Sequence, residues 1–343
     1  MNKKHIFNNR IILVTGGTGS FGRYFIKEIL KSYKPKKIIV YSRDELKQYE
    51  MMNEFSDREN EKIRYFIGDV RDLERLKLAF YGVDFIVHAA AMKQVPASEY
   101  NPMECIKTNI TGANNVIDAA IYNNVKKIIA LSTDKASNPI NLYGATKLAS
   151  DKLIVAGNHL RGKKQTIFSV VRYGNVVGSR GSVVPLFKSL IKKNSKFLPV
   201  TDREMTRFWL TLAEGVNFVI DSFERMHGGE IFVPKIPSVR IVDLATAMAP
   251  KNKIKMIGIR PGEKLHEQMI SVDEASLTLE FKRFYIVKPT IKIHKNDRIY
   301  NKTKKGDIGK KVIKNFSYNS ASNNNFLSVQ MIRKINRSLN DTI

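Results

Sequence analysis

Between residue 11 and about residue 175, short runs of β-branched and aliphatic residues alternate with longer stretches whose apolar positions recur at helical spacing. The runs cover residues 11–14, 37–41, 62–67, 84–88, 127–131 and 168–172. Each is nearly continuous in apolar residues, as a strand covered on both faces by helices requires. The pattern predicts an α/β fold, a Rossmann-type doubly wound parallel sheet, over residues 1–175.

Beyond Gly174 the texture changes to segments interrupted by Gly, Ser and Pro, such as Gly178-Ser-Arg-Gly-Ser182, the stretch from Pro234 to Pro237, and Arg260-Pro-Gly-Glu263. Residues 176–205 and 231–290 read as a smaller, partly discontinuous substrate-binding lobe over the carboxyl ends of the strands. The stretch 209–226, apolar at helical spacing, is expected to return to the first lobe, which assigns 206–230 there. Residues 291–343 are polar and basic, with Lys302, Lys304, Lys305 and Asn323-Asn-Asn325, and predict a loosely held C-terminal tail.

Composition narrows the classes. A chain of 343 residues that is 43% hydrophobic and 9% aromatic buries a sizeable core. No apolar run approaches the roughly 20 residues of a spanning helix, so no membrane partner is expected. The start, Met1-Asn-Lys-Lys4, is positive, but the apolar run behind it stops at Val14, too short for a signal peptide; a cytoplasmic location is expected. The single cysteine, Cys105, excludes an intrachain disulfide and reads as a buried small apolar residue. His88 and His266 lack partners at metal spacing, so no metal is expected. The net charge of +26 suggests anionic partners, yet the lysines are scattered and no zinc-finger, RNA-binding or basic-zipper pattern occurs. Nucleic-acid binding is therefore not expected, whereas an anionic small substrate suits a basic cleft. Trp209 reads as a packing anchor between lobes, and residues 251–255 as a solvated face.

The first chemical signal is Thr15-Gly-Gly-Thr-Gly-Ser-Phe-Gly22, placed after a strand-like run and before an amphipathic stretch. Gly16, Thr18, Gly19, Ser20, Phe21 and Gly22 would bring backbone N–H groups to a pyrophosphate at a helix N-terminus. The second strand ends in Ser42-Arg43-Asp44, and a guanidinium there fits a 2′-phosphate, which favours NADP over NAD. Asp69 and Val70 would sit near the adenine, and Ala89 and Ala91 are small enough for the cofactor backbone to pass. Asp44, Lys47 and Asn109 complete the expected cofactor contacts.

The second signal is Ser132-Thr-Asp-Lys135 ahead of Tyr143-Gly-Ala-Thr-Lys147. Tyr143 and Lys147 are four apart, hence on one helix face about 6 Å along the axis. Lowering a tyrosine pKa from about 10 toward 7 takes roughly 4 kcal/mol, which a neighbouring ammonium and a positive nicotinamide ring can supply. Tyr143 would then remove a hydroxyl proton while hydride leaves the same carbon, with the Thr133 hydroxyl orienting that oxygen. Oxidising one sugar carbon to a ketone acidifies its neighbour. Lys135 as base and Asp134 as acid would eliminate water, and the hydride would return to the far carbon; Asp134 needs a raised pKa for this, which burial supplies.

Long stretches carry a resemblance: Tyr41-Ser-Arg-Asp-Glu-Leu-Lys47, Gly68-Asp-Val-Arg-Asp-Leu-Glu-Arg75, Ser132-Thr-Asp-Lys-Ala136, Asn141-Leu-Tyr-Gly-Ala-Thr-Lys147, Arg172-Tyr-Gly-Asn-Val-Val-Gly-Ser-Arg180, Met205-Thr-Arg-Phe-Trp209 and Arg260-Pro-Gly-Glu-Lys-Leu-His-Glu267. Over nearly its whole length the chain resembles the extended short-chain dehydrogenase/reductase superfamily, and within it the inverting UDP-N-acetylglucosamine 4,6-dehydratases. The resemblance implies that Asp134, Lys135 and Tyr143 are acid, C5 base and C4 oxidation base, with Lys147 supporting the tyrosine and binding the cofactor ribose. It implies that Lys93 lies near cofactor and substrate, and that Asn175, Val183, Arg207, Arg260 and Glu263 hold UDP-N-acetylglucosamine together with Thr133 and Tyr143. It further implies inversion at C5, the first step of pseudaminic acid synthesis for flagellin glycosylation, and a homo-oligomer, often a hexamer. A related subgroup with capsule roles carries Met where Tyr143 stands. The loop at residues 57–62 is a few residues longer than the family pattern. Two alternatives stay open: a nucleotide-sugar 4-epimerase or net dehydrogenase, which has no use for the Asp134–Lys135 pair, and a non-catalytic NADP-binding sensor.

Overall fold

The structure, a computed structural model, describes residues 6–178 and 182–340. The basic start Met1–Lys4, and Ser179, Arg180 and Gly181 of the glycine-rich segment, lie outside the described residues. All six predicted strands form: β1 (Ile11–Thr15), β2 (Lys37–Ser42), β3 (Ile63–Ile67), β4 (Phe85–His88), β5 (Lys127–Thr133) and β6 (Ile167–Tyr173). They run parallel in the spatial order β6, β5, β4, β1, β2, β3. Ile12, Leu13 and Val14 are all fully buried although successive side chains point to opposite faces, so both faces of β1 are covered. Helix Ser20–Ser32 contributes Gly22, Phe25, Ile26 and Ile29, one helical stripe, and packs with helix Leu212–Arg225. Helix Gly112–Tyr122 pairs with helix Leu142–Leu160. Residues 57–60 of the long loop form a short helix held by a Ser56–Glu59 capping box.

The sheet is wider than the sequence suggests. Ile231–Pro234 adds in parallel beside β6, with Ile231 opposite Val170, and Phe284–Val287, Thr278–Glu280 and Lys310–Lys311 follow antiparallel to complete ten strands. These segments, read from sequence as smaller lobe or tail, are short, and their partners are distant in sequence, so no local pattern announces them.

The smaller lobe has a three-stranded sheet of Asn175–Val176, Thr206–Leu210 and Ser238–Arg240, and a parallel pair, Phe197–Val200 with Lys253–Met256. Val184, Phe187, Leu198, Met205, Trp209 and Leu244 form its core. Strand Thr206–Leu210 is thus part of this lobe, and only the helix after it, Leu212–Arg225, returns to the first. Phe208 and Leu210 face the main core while Trp209 faces the smaller one. The strand is the shared wall, and Trp209 anchors one lobe, not the junction.

The tail is not loosely held. Tyr318–Asn319 pairs with Gln268–Ile270, the Tyr318 hydroxyl donates to Ile236 O at 2.9 Å and accepts from Ile236 N at 2.8 Å, and helix Val329–Asn340 packs on helix Ile241–Met248. Tyr300, Leu327 and Ile332 are buried, and Asp307 accepts from Arg225 Nε at 3.0 Å. A few apolar anchors and satisfied polar groups suffice, which a compositional reading averages away.

Candidate active site

The carboxyl ends of β1 to β6 open into a cleft of about 1250 Å³ between the two lobes. Among the described residues, eight basic side chains line it (Arg43, Lys47, Lys93, Lys135, Lys147, Arg207, Arg260, Lys264) against four acidic ones (Asp44, Asp69, Glu263, Glu267), a balance that suits an anionic ligand.

At the β1 end, Gly16, Thr18, Gly19, Ser20, Phe21 and Gly22 line the cleft as expected. A Cβ on Gly22 would stand 2.3 Å from the Gly17 carbonyl oxygen, so the helix starts hard against the loop. Gly19 at its N-cap offers no side-chain cap and the first turn carries no acid, leaving the N–H groups open to an anion. This cradle fits a dinucleotide pyrophosphate.

At the β2 end the Asp44 carboxylate caps helix Glu45–Glu54 by accepting from Lys47 N at 3.0 Å, and the Lys47 ammonium also closes on it. Hydrogen bonds from Lys47 hold the Asp44 carboxyl below the usual range. Arg43 is 61% exposed on the cleft side, its Nη1 3.5 Å from Asp69 Oδ2. Asp69, Val70, Ala89, Ala91 and Lys93 line the cleft. Desolvation lowers the Lys93 ammonium pKa. Asn109 is a correction: it sits buried behind the wall, accepting from Met92 N at 2.8 Å and donating to Met92 O at 2.9 Å and to Thr146 Oγ1 at 3.0 Å. It shapes the loop that carries Lys93 and does not line the cleft.

At the end of β5 the chain tightens into a 3₁₀ turn, Asp134–Ala136. Thr133 Oγ1 donates to Asp134 Oδ1 at 2.9 Å, and Lys135 Nζ lies 3.1 Å from the same oxygen. Thr133, Lys135, Tyr143 and Lys147 line the cleft, but Asp134 is fully buried behind them. Burial raises its carboxyl pKa, and the nearby Glu267 carboxylate adds to the shift; the nearby Lys135 ammonium and the Thr133 hydroxyl oppose it. The requirement of a raised Asp134 is met. Burial alone would lower Lys135, but Asp134 and Glu267 outweigh it and hold the amine charged. A free base at Lys135 is therefore not the resting state. Burial pushes Tyr143 up to about 12, against the pull of Lys135 and the Thr133 hydroxyl, and so opposite to the shift that catalysis needs. Burial lowers Lys147, with Asp151 opposing. Asp151 in turn accepts from Ser132 Oγ at 2.7 Å and lies 3.5 Å from the buried Arg172, which also meets Glu274 at 3.0 Å.

Helix Leu142–Leu160 begins at Asn141, which accepts from Gly144 N at 2.8 Å and donates to Gly262 O at 2.8 Å, tying the helix to the second lobe. There Asn175, Val183, Arg207, Arg260 and Glu263 also line the cleft. Arg260 Nη2 meets Glu263 Oε1 at 2.9 Å, and Arg207 Nη2 meets it at 3.4 Å. His88 bonds Thr15 and His266 bonds Thr206, each at 2.8 Å. No His, Cys, Asp or Glu cluster of metal-binding size occurs among the described residues.

The structure adds one side chain that sequence reasoning passed over. Glu267, the last residue of the Arg260–Glu267 stretch, lies on the cleft wall with Oε1 2.9 Å from Lys135 Nζ and 3.7 Å from Arg207 Nε. The only signal was a carboxylate in a quoted motif; its partner is 132 residues away (267 minus 135).

Residues 12–289 match the family model described as polysaccharide biosynthesis protein. Over 318 residues, covering 93% of this chain and 94% of the relative, the chain is 62% identical to a UDP-N-acetylglucosamine 4,6-dehydratase (inverting) of Campylobacter jejuni. It is 44% identical over 287 residues, 82% of this chain and 83% of the relative, to a UDP-glucose 4-epimerase of Rickettsia conorii. The solved structure of Pen from Bacillus thuringiensis superposes with a TM-score of 0.86 at 36% identity, covering 97% of this chain and 99% of that one. With the cleft, the glycine loop and the Thr133–Lys147 constellation in view, the chain belongs to the polysaccharide biosynthesis protein family and, within it, to the inverting UDP-N-acetylglucosamine 4,6-dehydratases.

Proposed function

We propose that this chain is an NADP-dependent UDP-N-acetylglucosamine 4,6-dehydratase that inverts C5 and yields UDP-2-acetamido-2,6-dideoxy-β-L-arabino-hex-4-ulose. The observation that carries the reading is the Asp134–Lys135 pair, hydrogen-bonded at 3.1 Å, with Lys135 lining the cleft together with Tyr143 and Lys147 and Asp134 buried behind them. An epimerase needs only the tyrosine and lysine; an acid next to an amine is what elimination adds. The pseudaminic acid step and homo-oligomeric assembly follow from the resemblance, and a cytoplasmic location is part of the same proposal.

Gly16, Thr18, Gly19, Ser20, Phe21, Gly22, Arg43, Lys47, Asp69, Val70, Ala89, Ala91 and Lys147 would hold the dinucleotide. Because Lys47 and the helix cap occupy the Asp44 carboxylate, the corner where a ribose would sit presents Arg43 and Lys47, which supports NADP. A bound dinucleotide would supply a hydride acceptor for C4 of the sugar and a hydride donor for C6. Tyr143, assisted by Lys147, takes the C4 hydroxyl proton, with Thr133 orienting that oxygen. Desolvation of Tyr143 means that its proton must be drawn off by added positive charge, and the Lys135 ammonium is the one in the chain that pulls on it. Lys135 then takes the C5 proton and Asp134 supplies one to the departing C6 hydroxyl. Lys93, Asn175, Val183, Arg207, Arg260 and Glu263 hold the UDP-sugar, its negative charge matched by the basic wall.

Incubation with UDP-N-acetylglucosamine in heavy water tests the reading. The product should carry one deuterium at C5 with the inverted configuration, and cofactor absorbance should show no net change. A C4 epimer as sole product, or stoichiometric accumulation of reduced cofactor, would overturn it.

A further inference from the structure

We propose that Glu267 is the proton acceptor that turns Lys135 from a resting ammonium on the cleft wall into the base for C5. The inference rests on the dehydratase reading above and assigns a positioning residue that the reading lacks.

Lys135 Nζ lies between two carboxylates, Asp134 Oδ1 at 3.1 Å and Glu267 Oε1 at 2.9 Å. Arg207 faces Glu267 from strand Thr206–Leu210, its Nε 3.7 Å away, and Lys264 and Tyr143 are the other titratable groups turned toward the cluster. An ammonium has no lone pair. Before Lys135 can take a proton from carbon it must give one up, and only two neighbours accept. Asp134 is poorly suited: its Oδ1 already receives the Thr133 hydroxyl, and its Oδ2 points toward Gly174, 3.3 Å from where a Cβ there would stand. As the acid of the elimination it must also keep its own proton. Glu267, unlike Asp134, is on the cleft wall; its Oε2, like Asp134 Oδ2, is buried without a hydrogen-bond partner.

The step balances without any outside reagent. One proton moves along the existing hydrogen bond from Lys135 Nζ to Glu267 Oε1, and an ammonium with a carboxylate becomes an amine with a carboxylic acid. Net charge is unchanged, and exclusion of water by a bound sugar nucleotide favours the neutral pair because desolvation disfavours both ions. The amine then takes the C5 proton, the C5–H electron pair becomes the second bond to C6, and the C6–O pair leaves with the Asp134 proton as water.

Glu267 is also held as a working group would be. Its N–H donates to Ser320 Oγ at 2.9 Å, its carbonyl accepts from Ser320 N at 2.8 Å, and Ser320 Oγ meets Thr206 Oγ1 at 2.7 Å. The C-terminal segment thus fixes the backbone that carries this carboxylate.

The test is Glu267→Gln in the cofactor-loaded enzyme, given UDP-N-acetylglucosamine in heavy water between about pH 6 and 10, a range that brackets loss of a lysine proton. C5 exchange and dehydration should fall about 10²-fold near pH 7, the scale of a lost acid–base group, and the residual rate should climb roughly tenfold per pH unit as solvent deprotonates the amine. Transient cofactor reduction should persist, Glu267→Asp should recover part of the exchange, and the thermal midpoint should hold. Wild-type exchange with a wild-type pH profile in the Gln variant would overturn the proposal, as would equal loss of oxidation and exchange with no rise at high pH. Absence of C5 exchange by the unmutated enzyme would instead overturn the dehydratase reading, and this inference with it.

Discussion

Gly144 sits against Lys135 so closely that a Cβ on it would come within 2.2 Å of the Lys135 carbonyl oxygen. The first turn of the helix that carries Tyr143 and Lys147 therefore rests directly on the 3₁₀ turn that carries Asp134 and Lys135. Two chemical signals eight residues apart in sequence form one rigid unit because a glycine lets two backbones touch. Gly144→Ala should cost about 1–3 kcal/mol, the scale of overpacking, despite alanine's better helix propensity. Thermal unfolding and turnover measured together check it; a variant with unchanged stability and rate would show that the contact relaxes freely.

Lys135→Met keeps the length of the side chain and removes the amine. C5 exchange and dehydration should fall by about 10²–10⁴, the range for a lost general base, while C4 oxidation continues and shows as transient cofactor reduction. Stopped-flow absorbance with NMR of the product reads both halves. Retained dehydration would remove Lys135 from the mechanism, and epimer formation by the unmutated enzyme would favour the 4-epimerase alternative.

Arg43→Ala should weaken NADP by about 1.5–3 kcal/mol, the value of charge-assisted hydrogen bonds, and leave NAD nearly untouched. Titration of both dinucleotides into wild type and variant gives the ratio. Equal losses would mean that the Arg43 side chain, 61% exposed beside Asp69, does not select the phosphate.

Asp307 gives a pH prediction for the tail. Burial acts to raise its carboxyl, but hydrogen bonds from Thr303 and Arg225 outweigh this and hold it below its ordinary value. A depressed carboxyl contributes stability above the unfolded value of about 3.9 and loses it as pH falls through the folded one. The attachment of the tail to helix Leu212–Arg225 should therefore loosen only in acid, below about pH 4. Asp307→Asn should abolish that acid dependence in hydrogen exchange of residues 303–311; an unchanged profile would assign the tail's hold to other contacts.

Much of this architecture was legible before any coordinates. Continuous apolar runs located six strands, because a strand buried on both faces has no polar side to alternate with. The glycine loop and the Tyr143–Lys147 spacing were legible because both are local: a loop touching its own helix, and two side chains one turn apart. Ile231–Pro234, Thr278–Glu280 and Lys310–Lys311 were not, since each is short and takes its place only through a distant partner. The tail misled for the same reason, its hold resting on Tyr300, Tyr318 and Ile332 among many polar residues.

By itself the sequence determined the parallel sheet, the glycine loop and the grouping of Thr133, Asp134, Lys135, Tyr143 and Lys147, all of which depend on residues close in the chain. Only the tertiary structure decided their electrical states. It buried Asp134 and raised it, closed Glu267 onto Lys135 and kept that amine charged, and moved Asn109 from the cleft wall to its support. A side chain's pKa is set by burial and by charges within a few ångströms, and here one of those charges is the Glu267 carboxylate, 132 residues (267 minus 135) further along the chain.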